Sequence, residues 1–243
     1  MAVWLRGLLA VVGLTAMARA DVDWSAARLQ MVEDIEDLAE SIADASGGKV
    51  LDRRVLDAMR EVPRHEFVPA DVAAAAYRNR PLPIGHGQTI SQPFIVALMT
   101  DLLRLKPDDR VLEVGTGSGY QAAVLAKLAK EVYSIEIVEA LGIEAAKTLK
   151  RLGYTNVETR IGDGYLGWPE HAPYDAIIVT AAPDHVPPRL VEQLEAGGRL
   201  VIPVGGLAQD LMVIEKKPDG TTTSTEIIPV RFVPLTRGGG GRE

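Results

Sequence analysis

Along this chain the apolar positions follow two successive rhythms. Over residues 24–45, Met31, Val32, Ile35, Leu38, Ala39 and Ile42 recur every three or four positions with acidic residues between them, the spacing of one buried face on an α-helix. A second helix is predicted over 55–62, with Asp52 as its N-cap and Pro63 as its stop. An alanine-rich turn of helix runs to Tyr77. Another helix is predicted over 94–105, behind Pro93, a residue suited to a first helical position. The intervening stretch 81–93 is dense in proline and glycine yet carries Gln88, Thr89, Ser91 and Gln92, so it reads as an ordered polar loop.

Beyond Asp109 the rhythm changes. Short apolar runs predict strands at 110–115, 131–137, 156–162, 174–180, 199–204, 211–216 and 225–233, and amphipathic stretches predict helices at 120–130, 139–152 and 188–195. Strands that alternate with helices imply right-handed crossovers and a mostly parallel sheet. Only Lys217-Pro-Asp-Gly-Thr221 joins the last two strands, a hairpin signal, so the sheet should end in an antiparallel pair. The expected fold is α/β, a doubly wound Rossmann-like sheet of seven strands. A helical extension (21–105) should pack over the ligand edge of the core (106–236) in one globular unit, and 237–243 should be a disordered tail.

Composition narrows the chemistry. The 243 residues carry a net charge of −7, and the pI is about 5.2, which argues against nucleic acid or an anionic membrane as a partner. Cysteine is absent and the four histidines are scattered, so no metal site is expected. The first twenty residues differ from the rest: Arg6 precedes an apolar run over 8–17, and Ala18-Arg-Ala20 supplies small residues before the first acid, Asp21. That is the pattern of a secretory signal peptide.

The densest candidate for chemistry is Val111-Leu-Glu-Val-Gly-Thr-Gly-Ser-Gly-Tyr120, a strand running into Gly115, Gly117 and Gly119 and then into a helix. Such a turn lets a ligand approach the backbone closely. Glu136 follows Gly115 by 21 residues at the end of the next strand, where an acid meets the hydroxyls of a bound ribose. In open α/β sheets ligands sit outside the carboxyl ends of the strands, which adds Thr116, Asp163, Gly164 and the Thr180-Ala-Ala-Pro183 stretch. Asp163, between two glycines, is either an acceptor for an adenine amino group or simply a turn-former. The spacing is G-x-G-x-G, with Tyr120 where a dinucleotide site has its third glycine. That favours S-adenosylmethionine over a nicotinamide dinucleotide.

At this point the chain resembles the protein-L-isoaspartate (D-aspartate) O-methyltransferase family. The resemblance runs over about 28–235 and rests on Val62-Pro-Arg-His-Glu-Phe-Val-Pro69, Gly85-His-Gly-Gln-Thr-Ile-Ser-Gln-Pro93, Glu113-Val-Gly-Thr-Gly-Ser-Gly-Tyr120, Gly197-Gly-Arg-Leu-Val-Ile-Pro-Val-Gly205 and Val230-Arg-Phe-Val-Pro-Leu235. The departures are the leader, a long first-helix region and the glycine tail. The resemblance implies a methyltransferase sheet and methyl transfer from S-adenosylmethionine to the free α-carboxylate of L-isoaspartyl residues, a repair that returns through ester and succinimide to aspartyl. It makes Ser91 the active-site residue, Glu136 and Asp163 the cofactor-binding acids, and places residues 230–235 beside the peptide.

With the residues read above, the candidate set is Ser91 for catalysis and Thr89, Gln92, Arg231 and Val233 for substrate positioning. Glu113, Gly115, Thr116, Gly117, Gly119, Glu136, Asp163 and Gly164 are the candidates for the cofactor. A carboxylate nucleophile is already ionised, so no general base is expected, and Ser91 with Thr89 should hold rather than deprotonate. Another S-adenosylmethionine-dependent methyltransferase stays open as an alternative. So does a nicotinamide oxidoreductase, although no Tyr-x-x-x-Lys follows the fourth strand, and so does a non-catalytic cofactor binder. The expected partners are isoaspartyl proteins and peptides, for a monomer with no nucleic-acid or stable membrane association. The leader predicts export, with cleavage after Ala20 to a periplasmic or secreted form. A cofactor made in the cytoplasm and too charged to cross a membrane unaided predicts a cytoplasmic protein, and the family is typically cytoplasmic, which is the expectation adopted.

Overall fold

The structure is a computed structural model and describes residues 23–46 and 51–238. The signal-like leader, Gly47-Gly48 and the tail beyond Gly238 lie outside the described residues. Helix α1 (Trp24–Ser46) buries Met31, Val32, Ile35 and Ala39, the stripe its spacing predicts. Helix α2 (Arg53–Glu61) is capped by Asp52, whose side chain accepts from Arg54 N–H, and buries Val55, Leu56, Ala58 and Met59. The Asp52 N–H in turn donates to Asp101 Oδ1 at 2.8 Å, tying α2 to the helix over 93–103.

Residues 81–93 are not a simple loop. They hold an antiparallel hairpin of β1 (Leu82–Gly85) and β2 (Gln88–Ile90), followed at once by α3 (Pro93–Leu103). Leu82, Ile84 and Ile90 face inward. His86 turns the chain at φ 52, flanked by Gly85 and Gly87 at φ 90 and 72. An alternation this short, interrupted by Pro83 and Gly85, is hard to see against the turn residues.

The core elements are β3 (Arg110–Val114), α4 (Tyr120–Leu125), β4 (Glu131–Glu136), α5 (Glu139–Arg151), β5 (Val157–Ile161), β6 (Tyr174–Val179), α6 (Pro188–Glu192), β7 (Leu194–Gly205), β8 (Gln209–Lys216) and β9 (Thr222–Val230). They form one seven-stranded sheet in the order β5-β4-β3-β6-β7-β8-β9. The strands from β5 through β7 are parallel, and β7–β8 and β8–β9 are antiparallel. The antiparallel end is thus three strands wide, because residues 206–208 alone connect β7 to β8. Alternate residues serve two apolar layers: Val111, Val132, Ile178 and Val201 on the face with α3 and α4, and Leu112, Tyr133, Ile177 and Leu200 on the other. Parallel strands buried on both faces read as near-continuous apolar runs.

Several boundaries differ from expectation, three of them for a visible reason. Helix α4 stops at Leu125 rather than residue 130, because Lys127 and Leu128 donate to carbonyls only three residues back. Strand β7 begins at Leu194, not residue 199, through an irregular pairing with Tyr174. Strand β9 ends at Val230, and the chain then crosses to the end of β6, where Ala182 N–H donates to Val233 O and Leu235 N–H to Ala182 O, both at 2.8 Å. The chain runs outward from β3 through β4 and β5 and returns across β3 to β6. The carboxyl ends of β3 and β6 therefore flank the switch point, the usual ligand position in such sheets.

Candidate active site

A cleft of about 790 Å³, its open mouth included, lies at that switch point, in the size range of small-molecule sites. Its floor is the glycine turn. Gly115 has φ 99, and a Cβ there would collide with Thr180 Oγ1, which donates to Gly115 O at 2.7 Å and to Val114 O at 3.1 Å. Only glycine fits where β3 and β6 part. Gly117 N–H donates to Glu136 Oε2 at 2.7 Å, and Val138 N–H to Oε1 at 2.8 Å. Two backbone amides thus fix the Glu136 carboxylate in the cleft wall, and each oxygen keeps a lone pair for a ligand hydroxyl. Thr116 and Gly164 line the same cleft.

Three predicted cofactor residues do not line it. Glu113 is fully buried and accepts from Ser134 Oγ, which lies 2.6 Å from Thr116 Oγ1. It reaches the glycine turn only through this hydroxyl chain, and burial pushes its carboxyl up to about 8. Gly119 precedes α4 at φ 89, where an added Cβ would sit 3.2 Å from Leu149 of α5, so its smallness serves packing between two helices. The Asp163 side chain accepts from Tyr165 N–H at 2.9 Å, and its second oxygen faces Gly238 N–H at 3.4 Å. In this structure Asp163 caps a short 3-10 turn instead of facing the cleft, and the turn-forming reading describes its contacts.

Ser91 and Thr89 stand on the opposite wall, carried by β2 and the turn into α3. Behind them a second depression is lined by Gln92, Ile95, Arg231 and Phe232 among others. Thr89, Ser91, Thr180 and Val233 belong to both hollows, so Ser91 sits at their junction. Residues 233–236 close one side of the cleft. Beyond them Arg237 lies 4.4 Å over the Tyr165 ring, and Tyr165 Oη donates to Leu235 O at 3.4 Å. Sequence reasoning passed over Ser134, the Thr180 lock on Gly115 and Gln121. Gln121 lines the cleft with its Nε2 bonded to Thr100 Oγ1 at 2.9 Å, while its buried Oε1 has no partner among the described residues.

A glycine turn after the first core strand, an acid fixed at the end of the second and a cleft at the switch point define a Rossmann-like methyltransferase that uses S-adenosylmethionine. The residues fit that cofactor: Gly115 and Gly117 line the cleft with bare backbone, Glu136 offers acceptors, and Gln121 Oε1 is a buried acceptor without a partner among the described residues. The model of the protein-L-isoaspartate(D-aspartate) O-methyltransferase family matches residues 36–240, and the chain belongs to that family. It is 62% identical over 208 residues to protein-L-isoaspartate O-methyltransferase 2 of Polaromonas sp. (strain JS666 / ATCC BAA-500), covering 85% of this chain and 99% of the relative. With the enzyme of the same name from Syntrophobacter fumaroxidans it shares 58% identity over 233 residues, 95% of this chain and 94% of that one. Among solved structures, a protein-L-isoaspartate O-methyltransferase superposes with a TM-score of 0.76 at 30% identity, covering 88% of this chain and 66% of the other. A Plasmodium falciparum protein assigned the same activity, solved in complex with S-adenosyl-L-homocysteine, gives 0.73 at 28% identity, with 87% and 99% covered.

Proposed function

We propose that this protein transfers the methyl group of S-adenosylmethionine to the free α-carboxylate of L-isoaspartyl residues in damaged proteins and peptides. The observation that carries the reading is the shared wall of the two hollows, with Ser91 between the cofactor cleft and the groove edged by Gln92, Arg231 and Phe232. The bound cofactor supplies a methyl group already activated on a sulfonium. Ser91 Oγ and Thr89 donate hydrogen bonds to the substrate carboxylate and hold one oxygen in line, while Val233 and Ile95 exclude water from it. Arg231, exposed on the groove, pairs with a carboxylate elsewhere on the peptide.

Among the described residues neither hollow is lined by histidine or lysine, and the one acid, Glu136, is already held by two amides. A nucleophile that is ionised at neutral pH needs no base. Labelled S-adenosylmethionine offered with an isoaspartyl peptide and its aspartyl twin should mark only the first; equal marking of both, or of neither, overturns the proposal. In Ser91→Ala the lost hydrogen bond to a charged group, about 1.5–3 kcal/mol, should lower turnover about ten- to a hundredfold and leave the pH optimum in place. A displaced pH profile would instead identify Ser91 with base catalysis.

The same reading includes a monomer resident in the cytoplasm, without nucleic-acid or stable membrane association. Supporting it are the net charge of −7, the cytoplasmic supply of a charged cofactor, and the fact that no described helix is long and apolar enough to cross a membrane. Recovery from fractionated cells of a protein beginning at Asp21 would assign it to an exported compartment.

A further inference from the structure

Arg64 is fully buried and heads the molecule's largest fully buried side chains, yet among the described residues no carboxylate pairs with it. Its Nε donates to Ala76 O and its Nη2 to Ser91 O, both at 2.7 Å. The guanidinium carbon lies 4.7 Å over the ring of Tyr120, a cleft residue, and Nη1 has no partner among the described residues. Burial lowers the group to about 10, so it remains charged at neutral pH. A buried charge without a counter-ion is destabilising, and an apolar residue of similar volume is often at least as stable in such a place. The arginine is therefore to be explained by what it holds.

What it holds is the Ser91 backbone. Three residues further on, the Phe94 N–H donates to Asn79 Oδ1 at 3.0 Å. The turn from Ser91 through Pro93, which has no N–H of its own, is thus tied at both ends by side chains of the 64–79 segment. We propose that Arg64, seconded by Asn79, is the positioning residue that sets Ser91 against the cofactor cleft. This rests on the role given to Ser91 above. One guanidinium spans the Ser91 carbonyl on the substrate side and the Tyr120 ring on the cofactor side, so the two walls keep a fixed separation. A lysine, with a point charge in place of a planar fork, cannot hold Ala76 O and Ser91 O while stacking on Tyr120.

The test is a double-mutant cycle in the full chain with Arg64→Lys, Ser91→Ala and the pair. Turnover and KM are read on an isoaspartyl peptide, and binding of S-adenosyl-L-homocysteine and thermal unfolding on each variant. Misplacing a reacting group by about 1 Å lowers rates about a hundredfold, so Arg64→Lys should lose tenfold or more in kcat and leave S-adenosyl-L-homocysteine affinity within about threefold. On the Ser91→Ala background the same change should lower kcat less than about threefold further, because coupled residues are not additive. Independent losses that multiply in the pair overturn the proposal, as does a kcat loss matched by loss of S-adenosyl-L-homocysteine binding. Full turnover in Ser91→Ala overturns the reading of Ser91 itself and this inference with it, which separates the two failures. If Arg64→Lys does not fold, Asn79→Ala carries the same expectations through the other tie.

Discussion

Glu113 and Glu136 occupy neighbouring parallel strands, and both are hidden from solvent. Glu136 has two backbone amides on its carboxylate, whereas Glu113 has the Ser134 hydroxyl and a second oxygen without a partner among the described residues. Desolvation then dominates at Glu113 and raises it from 4.5 to about 8. The folded protein keeps this proton over a range in which the unfolded chain has lost it. Stability should therefore fall as pH rises through that window and level off above it. In Glu113→Gln this component should vanish, so a plot of Tm against pH between 5 and 8 should be flatter than that of the parent; an unchanged slope would show that Glu113 is ionised in the native state. The cleft-lining residues legible in sequence are those placed just after a strand: Gly115, Gly117 and Glu136. Ser91 was singled out by its motif, and it lines both hollows. Arg64 was not, because a buried arginine that holds a carbonyl has the same letters around it as one in water. Glu113 was misplaced because a side chain two residues before a turn can face the hydroxyl chain instead of the cleft.

Helix α4 shows how a glycine motif divides its labour. Gly115 and Gly117 serve the cleft, and Gly119 serves the approach of α5. A Gly119→Ala change combines a left-handed backbone with a 3.2 Å contact to Leu149, so it should destabilise by about 1–2 kcal/mol or more. Urea unfolding would measure it, and the folded fraction should bind S-adenosyl-L-homocysteine with near-parental affinity. A selective loss of binding without destabilisation would return Gly119 to the cofactor site. At this scale the sequence foretold every core strand, because alternating apolar runs between turn residues are a strong local signal. It did not foretell the hairpin of β1 and β2, where only Leu82, Ile84 and Ile90 carry the pattern. The end of β9 was also misjudged, because Phe232 and Val233 are apolar yet lie past the strand: both line the groove, and Phe232 also packs against the core.

Over the whole molecule, the parallel half holds the cofactor cleft, and the groove beside it is assembled from the 81–95 stretch and the chain after β9. The doubly wound class was readable from the strand and helix alternation, and the strand order was not. The resemblance placed residues 230–235 beside the peptide but did not show that 233–236 also close the cofactor cleft, because that contact joins segments remote in sequence. Ending the chain at Phe232 removes Val233, Pro234, Leu235 and Thr236 from the cleft wall but leaves all seven strands. Such a protein should still unfold cooperatively, with affinity for S-adenosyl-L-homocysteine reduced at least tenfold, about 1.4 kcal/mol; titration calorimetry would decide it. The crossing from β9 back to Ala182 also has a temporal meaning. A ribosome makes the glycine turn, Glu136 and Ser91 before residues 229–236, so on a nascent chain both the cleft and the groove still lack a wall. Synthesis itself withholds the finished cleft until Thr236 has emerged.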